Sequence, residues 1–419
     1  MLEFSIRSGL SVLRLSLEVD VTSPTSSSGS LKLATLMLLL TVGKLAAAQA
    51  YQYYELADFS LARLNGGVVG GGNPIGAVDG ADNGPSTVWE FVLPPLGTLE
   101  TLYTFGGPPD GAAPNTTLAI DRAGNIYGTT AAGGAYNAGT VYELFSSDHQ
   151  WQERILYNFT GGSDGGSPLG AVFLDTAGHL YGVTSAGGRY NSGVVYRVNV
   201  AAAPLEAVLH SFGGPGDAMQ TSPVIGDAAG NLYGTATGGA YPNGIVYQLT
   251  PHNATFGWKE NVVYAFTGGA DGGAPSGGVI FDASGNLYGA TSSGGHVTSF
   301  CLSGCGVIFE VTPHSGGNWT ESVLYAFQDT DNGVYPNGPV TFDSAGNLYV
   351  STMLGGTHNT GTIDKLTPSM GGPWTETTLT SFPNVLFLQS NGGLDVDSVG
   401  NIFGTYNSDN HAGLYEVSP

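Results

Sequence analysis

The stretch Asp282-Ala283-Ser284-Gly285-Asn286-Leu287-Tyr288-Gly289 decides the fold, because it recurs with small variations from Asp121, Asp175, Asp227, Asp343 and Asp397. Successive copies lie 54, 52, 55, 61 and 54 residues apart. A period near fifty residues, carried on short strand-like segments, means one supersecondary unit copied and stacked beside itself. Within the phrase, the aspartate can accept turn amide hydrogen bonds and the glycine supplies positive φ, so it reads as a tight turn between two strands.

Working outward from this turn, Gly278–Phe281 precedes it as an apolar strand and Leu287–Thr291 follows it. Gly306–Val311 and Glu321–Phe327 supply a third and a fourth strand. Four short antiparallel strands per period is the blade pattern, which gives an all-β fold, a β-propeller. Alternation along the strands is imperfect, as expected where both faces of each sheet pack on neighbouring sheets. Tyr127, Tyr181, Tyr233, Tyr288, Tyr349 and Phe403 occupy one repeat position, and Trp89, Tyr142, Tyr196, Tyr247, Phe309 and Tyr415 another. Both sets are expected to be core spacers between blades.

A seventh copy is eroded. Ser86–Phe91 and Thr98–Phe105 match third and fourth strands, but glycine-rich sequence at 65–85 replaces the aspartate turn. The last repeat stops after a third strand at Leu414–Val417, and Tyr51–Phe59 resembles its missing fourth. The expectation is a ring of seven blades, with six as the alternative, closed by the early strand, which removes an exposed edge. Residues 51–419 then form a single domain, with the closing strand and degenerate blade in 51–105 and six regular repeats in 106–419.

The chain has 419 residues, with 11 Lys and Arg, 33 Asp and Glu, 67 Gly, and 41% hydrophobic residues. Four of the basic and three of the acidic residues precede residue 51, leaving 7 against 30 beyond it. That surface repels phosphate backbones and anionic lipid headgroups, so neither nucleic acid nor a membrane surface is an expected partner. Residues 1–50 read as a signal peptide with an extended n-region: Leu33–Val42 is an apolar run, Lys32 precedes it, and Ala48-Gln49-Ala50 is an A-x-A cleavage pattern. The expected product is a secreted, extracellular or periplasmic monomer. Cys301 and Cys305, in the insertion that lengthens one repeat, are disulfide candidates in that setting.

The phrases Phe-Thr-Gly-Gly-x-Asp-Gly-x-x-Pro, Asp-x-x-Gly-Asn-Leu-Tyr-Gly and Gly-x-Val-Tyr-Glu-Leu follow one another in that order. In this the chain resembles the GloVer tandem repeats of bacterial surface and secreted proteins over roughly residues 86–419, and more distantly NHL-type propellers. The resemblance implies a propeller and no catalytic residues. Proteins of this kind often end in a sorting or anchoring tail; none is visible up to Pro419, which puts surface attachment in doubt and favours a soluble exported protein or a truncated reading frame.

In an antiparallel blade, the loops entering the first strand and those joining the second to the third share one face of the ring. The entering loops carry Asp110, Asp164, Asp217 and Asp271, each five residues after a phenylalanine, then Asp331 and Asn332. The second-to-third loops carry Tyr136 with Asn137, Tyr190 with Asn191, Tyr241, His358 with Asn359, and His411. These are the ligand-binding candidates, since carboxylates and amides suit sugar hydroxyls or Ca2+, and tyrosine suits a sugar ring or peptide. Asp-Gly and Tyr-Asn-x-Gly are also ordinary turn chemistry. The six turn aspartates belong to the other face and are excluded. There is no H-E-x-x-H and no phosphate loop, the letters G-x-S-x-G at Gly161–Gly165 fall in a glycine-rich loop and not at a strand-to-helix nucleophile elbow, and no cofactor motif is found. The expectation is an extracellular binding module for a glycan or a surface protein. A propeller enzyme of lactonase, lyase or glycosidase type using Asp and His on the loop face is one alternative, and a structural spacer or matrix protein is another.

Overall fold

The structure is a computed structural model. It describes residues 2–8, 11–17, 51–60, 69, 73–79, 86–93, 97–114, 117–201, 207–253, 257–328, 332–369, 372–383, 393–407 and 411–419. Residues 1–50 and 51–419 are separate compact units. In the first, Leu2–Ser8 and Ser11–Leu17 pair as an antiparallel hairpin. The apolar run Leu33–Val42 and the Ala48-Gln49-Ala50 pattern lie outside the described residues.

The second unit is a ring of seven antiparallel sheets, a β-propeller. In chain order their second strands are Ile75–Val78, Ile126–Gly133, His179–Ala186, Leu232–Gly238, Leu287–Ser293, Leu348–Gly355 and Ile402–Asn407. Seven hydrophobic clusters sit between blades, each drawing on two neighbours. Val141 and Leu156 of the second blade meet Val194 and Tyr196 of the third, and Phe403 and Leu414 of the seventh meet Trp89 and Phe91 of the first. The last contact closes the circle. Both aromatic sets are buried, as the sequence predicts, with Tyr142, Tyr196, Tyr247, Phe309 and Tyr415 wholly so.

Glycine in the Leu-Tyr-Gly phrase has a packing reason. Gly128, Gly182, Gly234 and Gly404 lie directly under the phenols of Tyr142, Tyr196, Tyr247 and Tyr415 on the adjoining third strand, so a Cβ there would overlap the ring. Those rings in turn take an edge-on phenylalanine from the end of the preceding blade, as in Phe159–Tyr196 at 5.0 Å between centroids and Phe382–Tyr415 at 5.3 Å.

The aspartate turns are built alike. Asp282 Oδ1 accepts from the amides of Ser284 and Asn286 at 2.8 and 2.9 Å, while Oδ2 accepts from Asn286 Nδ2 and Tyr288 Oη at 2.9 and 3.3 Å. Burial alone would raise the pKa of such a carboxyl; at Asp121, Asp175 and Asp343 the hydrogen bonds prevail and hold it below its ordinary value.

The closing strand is Gln52–Ser60, which pairs with His411–Ser418 as the outermost strand of the seventh blade. The eroded first blade has three strands, Ile75–Val78, Thr87–Val92 and Thr98–Thr104. A single bridge from Val69 to Ile75 stands where its innermost strand would be.

Candidate functional site

The two loop types of the decorated face are tied together within each blade. Gly134 donates its amide to the Asp110 carbonyl at 2.7 Å, Ala240 to Asp217 at 3.0 Å, and Gly356 to Asn332 at 3.1 Å. The entering-loop carboxylates turn inward along this seam. Asp110 Oδ2 accepts from the Gly106 amide at 2.7 Å and from Tyr103 Oη at 3.2 Å. Asp164 does the same with Thr160 and Tyr157, and Asp271 with Thr267 and Tyr264. For Asp164 and Asp271, burial works upward on the pKa, and the threonine and tyrosine hydrogen bonds outweigh it and hold it low. These carboxylates therefore brace loops as well as lining the face.

A second acid joins most of these braces, and the sequence reading missed it. Glu153, Glu260, Glu321 and Glu376 stand on the outermost strand of the next blade and point back at the Tyr/Asp pair of the preceding one. Burial, reinforced by the neighbouring aspartate, pushes Glu153 up to about 8 and Glu321 up to about 7. The sequence signal was Glu four residues before Tyr157, Tyr264 and Tyr325.

Two braces depart from the pattern. Where Asn332 replaces aspartate, its Nδ2 donates to Glu376 Oε2 at 2.8 Å, and Asp364 supplies the missing carboxyl from within the sixth blade. Asp364 is fully buried and occupies the aromatic position of the other blades. Where His210 replaces tyrosine, its Nε2 lies 3.1 Å from Asp217 Oδ2 and 3.8 Å from Glu260 Oε2. Among the described residues, this is the one group of three His, Cys, Asp or Glu whose ligand atoms all lie within 4.8 Å of one another.

Of the hairpin candidates, Asn137, Asn191 and Asn359 adopt φ of 55°, 56° and 55° and accept the amides of Gly133, Gly187 and Gly355 through Oδ1. They are turn-formers. Tyr136 is 63% exposed. Tyr190 is also exposed, with the Arg189 guanidinium 5.4 Å from its ring centre. Tyr241 packs against the core between the third and fourth blades, whereas His358 is exposed. Asp331 lies outside the described residues, and for His411 only the backbone is described, paired with Ser60.

Cys301 and Cys305 form a disulfide in the insertion of the fifth blade. Both are buried, and the loop they fix leaves Val297, Phe300 and Leu302 exposed, Leu302 by 79%. Tyr335 Oη of the sixth blade holds this loop by donating to the Phe300 carbonyl at 3.2 Å. With Tyr136, Tyr190 and Met219, an arc of exposed large apolar side chains runs over the loop face of four consecutive blades.

The central channel is a cavity of about 530 Å³ walled by innermost strands, with Gly170, Pro223, Gly277, Pro339 and Leu394 facing it. Asp395 is the one carboxylate among its lining residues.

Among solved structures, a protein from Lactobacillus plantarum is similar, at 16% identity over 78% of this chain and 86% of that one, with a TM-score of 0.50. An ancestral GH74 enzyme is 12% identical over 88% of this chain but 48% of its own length, with a TM-score of 0.50. A Xanthomonas campestris gluconolactonase is 14% identical over 68% of this chain and 82% of its own, with a TM-score of 0.40. At such identities the likeness concerns the fold alone. No curated protein matches. The Gloeobacter/Verrucomicrobia repeat matches residues 72–222 and 204–417, spanning all seven blades. The chain belongs to the Gloeobacter/Verrucomicrobia repeat family.

Proposed function

We propose that the protein is an exported, non-catalytic binding module whose loop face docks on an extracellular partner. The observation that carries this reading is the arc formed by Tyr136, Tyr190, Met219, Val297, Phe300 and Leu302. Exposed apolar and aromatic side chains gathered on one face mark interaction sites. Of the remaining exposed large hydrophobics, Tyr54, Leu99, Val208, Val262 and Val323 are scattered along outer strands, and Ile120 and Val399 lie singly at aspartate turns. A tyrosine with an arginine over its ring on the third blade, and apolar side chains in a disulfide-closed loop on the fifth, favour a protein surface over a glycan. Braced loops reduce the ordering cost of binding.

The test is immobilised residues 51–419 challenged with a glycan array and with extracellular proteins from the same source. Saturable protein binding that is lost in Tyr190→Ala and Leu302→Ser, with unchanged melting, supports the reading. Binding to a sugar alone would replace the partner, and binding indifferent to both substitutions would remove the site.

A further inference from the structure

The brace between the third and fourth blades holds an imidazole where the equivalent braces hold a phenol. Tyr103, Tyr157, Tyr264 and Tyr325 all direct a hydroxyl to the entering-loop Asp or its neighbouring Glu, and His210 alone presents a nitrogen. A phenol Oη can only donate a proton or weakly accept one, whereas a neutral imidazole is a metal ligand. We infer that His210, Asp217 and Glu260 form a binding site for one divalent transition-metal ion of the Zn2+ class.

The geometry fits. Ligand atoms held about 2.0–2.2 Å from one ion are roughly 3.0–3.5 Å apart. Here the imidazole nitrogen stands 3.1 and 3.8 Å from the two carboxylate oxygens, so small rotations complete the set. The three ligands come from separate elements: the outer strand Ala207–Ser211, the entering loop, and the outer strand Gly257–Ala265 of the next blade. Asp217 is only 8% exposed and its Oδ1 is fixed by the Ala218 amide, which leaves Oδ2 aimed at the site. Glu260 Oε1 is buried without a hydrogen-bond partner, a cost that a metal ion bridged by this carboxylate would relieve. His210 and Glu260 keep 18% side-chain exposure, so an ion can reach them. Two carboxylates balance a double positive charge. One nitrogen among oxygens selects Zn2+, Mn2+ or Ni2+ over Ca2+, which takes six to eight oxygens. Asp217 also accepts the Ala240 amide through its carbonyl, so an ion here would stiffen the part of the face that carries Met219.

The test uses the full chain, stripped with a chelator and titrated calorimetrically with Zn2+ alone, then with Ca2+ alone. One equivalent of Zn2+ should bind and raise the melting temperature, with no matching response to Ca2+. His210→Tyr restores the residue of the other braces and should fold; its Zn2+ affinity should fall by roughly tenfold or more. Glu260→Gln provides a second reading, and Co2+ absorption bands present in the parent and absent in His210→Tyr would place the ion on the imidazole. No Zn2+ binding, or equal binding by the parent and His210→Tyr, overturns the inference. Neither result depends on the partner proposed above.

Discussion

Val350 lies directly across from Asp364 on the second and third strands of the sixth blade. The same pair in the other six blades is a glycine and an aromatic: Gly76 with Trp89, Gly128 with Tyr142, Gly182 with Tyr196, Gly234 with Tyr247, Gly289 with Phe309, and Gly404 with Tyr415. Both members change together, so the space a ring would fill is taken by a valine side chain and a buried carboxyl. Burial drives the Asp364 pKa upward.

This pairing predicts a compensating double substitution. Gly182→Val should cost about 1–3 kcal/mol by overpacking against Tyr196. In the sixth blade, Asp364→Tyr should be destabilising alone and partly rescued by Val350→Gly. A double-mutant cycle from urea melts measures the coupling; additive effects would contradict it.

Ring closure makes a second prediction. Tyr53 packs against Phe382 and Tyr415 at 6.0 and 5.8 Å between centroids, and Glu55 accepts from Tyr406 Oη at 2.6 Å. Tyr53→Ala should cost roughly 2–4 kcal/mol. Removing residues 51–60 should lower the melting temperature further and promote aggregation, because His411–Ser418 becomes a bare edge. Unchanged melting would refute closure.

The pH profile of stability follows from the braces. Glu153 and Glu321 are raised to about 8 and about 7 in the folded state, above their unfolded value. Their contribution is present in full below the ordinary carboxylate range and is lost as pH rises through 7 to 8. Asp121, Asp164, Asp175, Asp271 and Asp343 are lowered, so their contribution is lost as pH falls below about 4. Melting temperature should therefore peak between about pH 4 and 6 and decline toward pH 8. Glu153→Gln should flatten the alkaline side.

Turn-formers and recognition residues should separate cleanly. Asn137→Ala loses the Gly133 hydrogen bond and forces alanine into positive φ, costing about 1 kcal/mol. Tyr136→Ala, one residue earlier and exposed, should leave melting unchanged and weaken partner binding.

The ring was legible because six of the seven blades repeat the same turn: the six aspartates gave the period, and the gap before Thr87 exposed the eroded blade. Closure was legible because Leu414–Val417 lacked a partner that Tyr51–Phe59 could supply. The braces were not, since Glu153, Glu260 and Glu321 sit in outer strands where the Glu-x-x-x-Tyr spacing is the one local signal, and their meaning comes from the preceding blade. Asp364 was hidden for a related reason. Reading the aromatic column down the repeats shows a gap in the sixth blade, but only packing shows that a carboxyl fills it. Face placement came from topology alone; which tyrosines stay exposed depended on neighbours such as Gly214, against which Tyr190 rests.

The pairing of Gln52–Ser60 with His411–Ser418 also sets an order of events during synthesis. The outer strand of the last blade emerges before every blade and must wait, unpaired, while more than three hundred residues follow it. Until the final strand leaves the ribosome, the nascent molecule is an open arc with an unfilled edge at each end. Ring formation therefore cannot be completed before His411–Ser418 has emerged, and the interval before closure is when the chain is most exposed to mispairing with another copy.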